Sequence, residues 1–132
     1  RDVAPAATAY GLGIVPFSPL AGGILTGKYR PDEPIEPGVR GYNNPRFERL
    51  LSDDVLRVVG ALDAFAQRRE RTIGELAVAW LLAQPGVCSV ITGVTKPEQV
   101  DENAKAVGWT LSEEDLAEIQ EIVAELPEGI DS

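Results

Sequence analysis

The feature that most constrains this chain is a short apolar segment that runs directly into a turn rich in glycine and proline. Residues 14–17 read Ile-Val-Pro-Phe and lie between Gly13 and a Ser-Pro pair that ends at Pro19. This run is too short for a helix and is typical of a strand that is buried on both faces. Pro19 lacks a backbone donor, and Gly22 and Gly23 allow backbone angles that a side chain would obstruct. In α/β proteins such a turn often holds an anionic cofactor, because its N–H groups can face phosphate oxygens.

Composition limits the partners of the chain. Its 132 residues, 44% of them hydrophobic, are enough for one globular domain with a buried core. Lys and Arg number 12 against 21 Asp and Glu, and the net charge of −9 argues against nucleic acid as a partner. No apolar run reaches the roughly 18 residues that span a bilayer, and no secretory signal precedes the first helix, so we expect no membrane partner.

Three scarce residue types narrow the chemistry. The chain has no His and a single Cys, Cys88, so we expect neither a metal site nor an internal disulfide. Cys88 lies in an apolar run, which favours a buried, inert thiol over a nucleophile. We expect a reducing, cytoplasmic compartment. The chain also has no Met, and we therefore interpret it as part of a longer protein.

Helices are predicted on both sides of a long connection. The first ten residues have the apolar spacing of a helix, and Gly11 marks its end. Residues 30–52 contain several prolines and glycines and almost no periodicity, which predicts a long surface loop. Loops of this length in compact domains are usually lids or binding loops when they are not disordered. Ser52 is placed to cap the next helix.

The last part of the chain alternates between helix and strand signals. Residues 72–75 form a capping box that opens a helix, and a Pro-Gly pair ends that helix. Residues 87–91 are a second short, β-branched segment, which predicts a strand. Residues 95–98 have the pattern of a second capping box, and we expect a helix after them. Residues 112–115 open a last amphipathic helix.

This order of elements implies a parallel sheet with right-handed crossovers. Only two strands are credible, and both lack the alternation of apolar and polar residues that is typical of a strand with one solvent-exposed face. A parallel sheet of two strands cannot cover its own faces. We therefore expect these strands to complete a sheet supplied by residues outside this chain.

Two stretches carry a resemblance to a known family. Residues 13–29, GIVPFSPLAGGILTGKY, resemble the seventh-strand motif of the aldo/keto reductases. Residues 90–103, VITGVTKPEQVDEN, resemble the eighth-strand and following-helix motif of the same family. The run Ala-Val-Ala-Trp at residues 77–80 lies between them in the expected order. The resemblance covers essentially all of this chain but only the C-terminal part of a full-length family member.

The resemblance implies a fold and an activity. Residues 1–132 correspond to the C-terminal portion of a parallel (β/α)8 TIM barrel, an α/β fold whose N-terminal part would pack against this chain. NADP is then expected at the C-terminal ends of the strands, in agreement with the usual ligand position in such barrels. The implied reaction is reduction of a small-molecule carbonyl substrate, an aldehyde or ketone, by hydride transfer. Loop 30–52 is expected to cover the cofactor.

The resemblance also assigns cofactor contacts to individual residues. Phe17 matches the aromatic residue that stacks on the nicotinamide. The turn that holds the pyrophosphate is matched by Ser18, Pro19, Leu20, Ala21 and Gly22. The basic residues of the covering loop are matched by Lys28 and Arg40. The adenosine end is matched by Gly93, Thr95, Gln99, Glu102 and Asn103. Of these, Thr95 is expected near the 2′-phosphate, and Glu102 and Asn103 near the adenine.

Taken alone, the same residues have simpler interpretations. An aromatic side chain at a strand end, such as Phe17, is often part of the core. Adjacent glycines often mean only a turn, and Thr95 can be an ordinary N-cap, which is also compatible with an anion site. Gln99, Glu102 and Asn103 share one face of their helix, which on an acidic helix is usually solvated surface.

No catalytic residue is assigned within this chain. The family's reaction uses an Asp, a Tyr that donates a proton, a Lys and usually a His, and the resemblance implies that all four lie on earlier strands. Tyr10, Tyr29 and Tyr42 fall outside any catalytic motif and are interpreted as packing or surface residues. Two alternatives to the reductase stay open. One is a non-catalytic half-barrel that binds a dinucleotide or pairs with another chain, and the other is a structural piece that docks on a partner.

Overall fold

The computed structural model describes residues 3–31, 33–39, 41–47 and 50–127, and its regular elements are helical. Two 3₁₀-helices, Ala21–Thr26 and Pro45–Phe47, lie between the first two α-helices. No helix in the described part of the chain is both long and apolar enough to cross a bilayer. The α-helices are α1 (Val3–Ala9), α2 (Asp53–Gln67), α3 (Ile73–Leu82), α4 (Glu98–Val107) and α5 (Glu113–Val123).

The two predicted strand segments lie side by side. Ile14 bridges Val87, and Phe17 bridges Ile91, both in the parallel direction that the order of elements predicts. Within the described residues these are isolated bridges instead of a continuous ladder. The parallel pairing is therefore confirmed, whereas the regular strands are not.

Backbone hydrogen bonds hold the pairing and also show why it is interrupted. The N–H of Ile14 donates to the carbonyl of Gly86 over 2.8 Å, and the N–H of Cys88 donates to the carbonyl of Ile14 over 3.0 Å. The carbonyl of Pro16 accepts from Ile91 N–H over 2.9 Å. Pro16 is at the position whose backbone N–H would donate the next hydrogen bond of the parallel ladder. Because proline has no N–H, the ladder is interrupted there.

The described chain leaves apolar side chains of these segments uncovered. Phe17 is 78% exposed, Ile91 57% and Val15 45%. Val3 and Tyr10, at the two ends of the first helical segment, are also exposed. Contiguous exposed apolar surface is typical of a face that packs against further protein or ligand.

Buried side chains form two clusters that share α2. The first cluster packs the long connection against the N-terminal half of α2, and its buried members are Ile24, Tyr29, Phe47, Val55, Leu56, Val59 and Ile73. The second cluster joins the C-terminal half of α2 to α3, α5 and the segment between α4 and α5, and its buried members are Phe65, Ala66, Leu76, Ala79, Leu111 and Ile119.

The connection over residues 30–52 is packed more closely than the sequence predicts. Ile35, Val39 and Leu51 contact the first cluster, and Phe47 is buried in it. These apolar side chains follow neither the helical nor the strand period, so a search for periodicity does not detect them. Part of the predicted surface loop is therefore core.

An arginine-rich turn joins α2, α3 and α5. The Arg69 guanidinium pairs with Asp115 of α5 and stacks over the Phe65 ring, 3.7 Å from its centroid. Two residues further on, Arg71 pairs with Glu75 of α3 over 3.3 Å. Since the Arg69 pair is less than one third exposed on both sides, it is screened less than an open surface pair.

The helix starts confirm the capping box predicted at residues 72–75 and show a further one at residues 112–115. Thr72 and Ser112 each accept a hydrogen bond from the backbone N–H three residues on, and the acidic side chain there accepts one from the backbone N–H of the capping residue. The box predicted at residues 95–98 is wrong: Pro97 already has helical backbone angles at the N-cap position, so Thr95 lies too early to cap the helix. Ser52 is at the N-cap of α2, but its side chain makes no capping hydrogen bond.

The prediction of a buried Cys88 is also wrong, because this residue is exposed. In the described chain, residues 14–17 pair with only one edge of residues 87–91 and leave the faces of that segment uncovered, so Cys88 is accessible to solvent. A Cβ on Gly13 would lie 2.8 Å from Cys88 Sγ, so the glycine provides room for the sulfur.

Gly60 offers a direct test of the α2 surface. It lies inside α2, and a Cβ added there would meet no atom within 4 Å. We expect Gly60→Ala to raise the free energy of unfolding by about 1 kcal/mol, because glycine disfavours the helix interior by that amount relative to alanine. Urea unfolding followed by circular dichroism measures this. Gly41→Ala is the contrasting variant and should destabilise, since its Cβ would lie 2.7 Å from Leu51 Cδ1. A destabilised Gly60→Ala protein would show that the α2 surface is not open.

Candidate cofactor site

The turn after the first strand segment has an unusual backbone. Ser18 and Ala21 have φ angles of 56° and 47°, and Gly22 and Gly23 have φ angles of 68° and 104°. Non-glycine residues in this left-handed region cost about 1–3 kcal/mol each and cluster at functional sites. The backbone therefore marks this turn as a candidate binding loop, in the segment where the sequence predicts one.

Lys28 places a positive charge against this turn. A Cβ on Gly23 would lie 3.0 Å from Lys28 Nζ, so the ammonium group rests on the open side of the glycine. The same nitrogen lies 5.0 Å from the centroid of the Tyr29 ring. An ammonium group beside a glycine turn is suited to a phosphate, which it can bind as a point charge.

Phe17 lies at the entrance to the turn, at the end of the first strand segment. Its side chain is largely exposed, and its backbone pairs with Ile91 on the second segment. The interpretation of Phe17 as a core residue therefore does not apply within the described chain. An exposed ring at this position is available to stack on a planar ligand.

The second half of the candidate site begins at the N-terminus of α4. Gln99 Oε1 accepts hydrogen bonds from the backbone N–H groups of Thr95 and Lys96, over 2.7 and 3.1 Å, and contacts the Thr95 hydroxyl at 3.2 Å. The side chain of Gln99, not that of Thr95, thus satisfies the backbone donors before the helix. This arrangement holds residues 95–99 in one compact turn.

A cavity of about 230 Å³ lies between the glycine turn, the N-terminus of α3 and α4. Five of its lining residues are among those assigned to the cofactor by resemblance: Leu20, Gly93, Gln99, Glu102 and Asn103. A Cβ on Gly93 would meet nothing within 4 Å, so this wall is open to a ligand. The fold thus brings residues from two distant segments to one space.

The opposite wall contains four residues that the sequence did not identify as part of a site: Thr26, Thr72, Gly74 and Glu75. Thr72 and Glu75 had a clear signal as a capping box, but that signal reports only where a helix begins. The N-terminus of α3 lies beside α4 because of tertiary packing, which no local sequence pattern reveals.

Glu75 is a nearly buried carboxylate in this wall, with 8% of the residue exposed. Burial alone would raise the pKa of Glu75. It is outweighed by hydrogen bonds from the Thr72 backbone, the Arg71 guanidinium and the Thr72 hydroxyl, and by the charge of Arg71, so the pKa lies below its ordinary value. The Glu75 carboxylate is therefore ionised at neutral pH, and its charge is paired with that of Arg71.

The other assigned residues do not line this cavity within the described chain. Ser18, Pro19, Ala21 and Gly22 form the glycine turn beside it. Thr95 belongs to the turn that Gln99 caps. Arg40 lies outside the described residues.

Comparison with known proteins identifies the family. The family model described as aldo/keto reductase matches residues 1–124 of this chain. The chain belongs to the aldo/keto reductase family. The resemblance carried by residues 13–29 and 90–103 is therefore confirmed.

Individual relatives of this aldo/keto reductase chain match it over much of its length. A probable voltage-gated potassium channel subunit beta from Arabidopsis thaliana is 43% identical over 78% of this chain and 32% of its own length. An L-glyceraldehyde 3-phosphate reductase from Escherichia coli is 34% identical over 87% of this chain and 34% of its own length. The structure of a glycerol dehydrogenase from Gluconobacter oxydans superposes with a TM-score of 0.80 at 27% identity, over 98% of this chain and 40% of that chain.

These relatives of the aldo/keto reductase chain are much longer than the chain itself. The chain spans about a third of the length of the two curated relatives. The family is one of oxidoreductases, and it and its solved member imply a (β/α)8 barrel.

The charge on Glu75 predicts a pH dependence of stability. Because its pKa is lower in the folded than in the unfolded state, its stabilisation is full above the unfolded value of about 4.3 and is lost as pH falls through the folded value. We expect Glu75→Gln to destabilise the protein at pH 7 and to weaken the further loss of stability on acidification. Urea unfolding across a pH series measures both effects. Glu121→Gln, on the exposed side of α5, is the control, and an equal change of slope in both variants would contradict the prediction.

Proposed function

We propose that this chain is the C-terminal part of an NADP-dependent aldo/keto reductase that reduces aldehydes or ketones by hydride transfer. The observation that carries the proposal is the cavity in which Leu20 from the glycine turn meets Gly93, Gln99, Glu102 and Asn103. More than seventy positions separate Leu20 from Gly93 in the chain. The family resemblance assigns all five residues to a single cofactor, Leu20 to its pyrophosphate and the other four to its adenosine end.

The chemistry of the walls suits the adenosine end of a dinucleotide. Leu20 supplies an apolar surface for a planar base, and Asn103 and the carboxylates of Glu75 and Glu102 supply acceptors for an amino group. The glycine turn and Lys28 lie beside the cavity and suit a diphosphate. Phe17 precedes the turn and offers an aromatic face for the nicotinamide.

The roles of these residues in the reaction follow from their positions. NADPH supplies the hydride when it is bound. Phe17 orients the nicotinamide by stacking and keeps water from one face of it. Backbone N–H groups of Ser18, Leu20 and Gly22 and the Lys28 ammonium bind the diphosphate, and the residues of α4 bind the adenosine. None of these residues transfers a proton to the carbonyl oxygen.

The remainder of the barrel supplies the rest of the site. The exposed apolar side chains of Val15 and Ile91 give the strand segments a surface on which earlier strands of the same barrel pack. The Asp, Tyr, Lys and His of the family's reaction are expected on those strands. Residues 30–52 cover the cofactor, and the protein works in a reducing cytoplasm.

A second candidate is a non-catalytic part that binds a dinucleotide and pairs with another chain. The name of the Arabidopsis relative, a probable channel subunit, favours this candidate. The two candidates share the same cofactor site and differ only in carbonyl reduction. Turnover therefore distinguishes them.

The complete protein should bind NADPH with a defined stoichiometry and oxidise it only when an aldehyde or ketone is present. NADPH fluorescence measures binding, and loss of absorbance with a panel of carbonyl compounds measures turnover. The 132-residue chain alone should show no turnover, because it lacks the proton donor. Binding without turnover by the complete protein would favour the second candidate, and absence of NADPH binding would refute both.

Phe17→Ala tests the nicotinamide end of the site. We expect it to weaken placement of the nicotinamide by about 1 kcal/mol, the value of one aromatic stacking contact. In the complete protein this appears as a lower kcat/KM with NADPH. Phe17→Tyr keeps the ring and should retain activity. Unchanged affinity and turnover in Phe17→Ala would remove this residue from the site.

A further inference from the structure

Tyr29 is the one tyrosine among the described residues that is buried, with 6% of the residue exposed. Its ring is a member of the first core cluster, together with Leu56 and Val59 of α2. The Tyr29 side chain makes two contacts with polar groups. The Lys28 ammonium lies 5.0 Å from its centroid, and its hydroxyl accepts a hydrogen bond from the backbone N–H of Gly41 over 3.1 Å.

The Gly41 contact is tightly built. Gly41 is buried, and a Cβ there would lie 2.7 Å from Leu51 Cδ1 and 3.1 Å from the Tyr29 hydroxyl oxygen. A side chain at position 41 would require the Leu51 side chain or the Tyr29 ring to shift. The glycine therefore allows the middle of the 30–52 connection to approach the residue that follows the glycine turn.

The second contact of the Tyr29 ring, with the Lys28 ammonium, lies on the side of the glycine turn. The ammonium group that faces the Tyr29 ring also rests against the open side of Gly23. An aromatic face attracts a cation and restricts where it can move. The core-anchored ring thus fixes the lysine next to the segment with positive φ angles.

We propose that Tyr29 is a positioning residue for the cofactor diphosphate. Its ring holds the Lys28 ammonium over the glycine turn, and its hydroxyl ties the covering connection to the same point through Gly41. The inference rests on the proposed function, in which this turn binds the diphosphate of NADP. It adds a role for a residue that contacts neither the turn's ligand nor the substrate, and that acts through Lys28 and Gly41.

Tyr29→Phe separates this role from a structural one. The variant keeps the ring, its packing and its contact with Lys28, and it loses only the bond to Gly41. In the complete protein we expect the Kd for NADPH to rise about 3- to 10-fold, the range that corresponds to one hydrogen bond, with most of the change in a faster dissociation rate. Fluorescence titration and stopped-flow displacement measure the two quantities.

Adenosine 2′-monophosphate provides the discriminating probe. It carries the adenosine end but no diphosphate, so its Kd should be the same in Tyr29→Phe and in the unaltered protein. Lys28→Met should likewise weaken NADPH binding and leave this probe unaffected, because the ammonium is proposed to act on the diphosphate. Tyr42→Phe is the matched control, since Tyr42 lies in the same connection but is exposed.

Three outcomes overturn the inference. The first is an unchanged Kd and dissociation rate for NADPH in Tyr29→Phe. The second is equal weakening of NADPH and adenosine 2′-monophosphate, which would indicate a general loss of structure. The third is a Tyr42→Phe effect as large as that of Tyr29→Phe. If the unaltered protein binds no NADPH, the proposed function itself fails. This outcome is distinguishable from failure of the Tyr29 inference, because it is measured on the unaltered protein before any variant is compared.

Discussion

The parallel contact between residues 14–17 and 87–91 is the interaction on which the rest of the arrangement depends. Hydrogen bonds at Ile14 and Ile91 align the ends of the two segments, so the chain leaves both at the same edge. The glycine turn follows one segment, and the turn that leads into α4 follows the other. Because parallel strands end at a common edge, two loops far apart in sequence become neighbours. The cavity between them is a consequence of this pairing.

Helix α2 connects the cavity to the rest of the core. Its N-terminal half supports Tyr29 and the long connection, and its C-terminal half packs on α3 and α5. At the end of α2 the Arg69 and Arg71 side chains reach Asp115 and Glu75. Glu75 belongs both to this network and to the cavity wall. The ion pair between Arg71 and Glu75 therefore links the arginine turn to the cavity wall.

Local signals predicted much of this arrangement, and their failures have physical causes. The capping box at Thr72 depends on nearby residues and the parallel direction of the two segments follows from the order of elements, and both were predicted correctly. The helix after Ser112 was predicted too, although its capping box was not. Thr95 was misjudged as a cap because Pro97 sets helical backbone angles one step before the helix. The buried part of residues 30–52 has no regular period, and the α3 wall of the cavity exists only because of tertiary packing. The roles of the assigned cofactor residues stay predictions.

The electrostatics of the site follow from local geometry more than from composition. The chain carries a net charge of −9, yet the proposed ligand is itself an anion. At physiological ionic strength, exposed charges more than about 8 Å apart are largely screened, so distant carboxylates have little effect at the turn. What acts there is the Lys28 ammonium against Gly23, with backbone N–H groups nearby. The carboxylates of Glu75 and Glu102 line the cavity instead, where the proposed adenosine presents an amino group. The diphosphate of the proposed cofactor therefore meets Lys28 and backbone N–H groups, and not the carboxylates of the cavity wall.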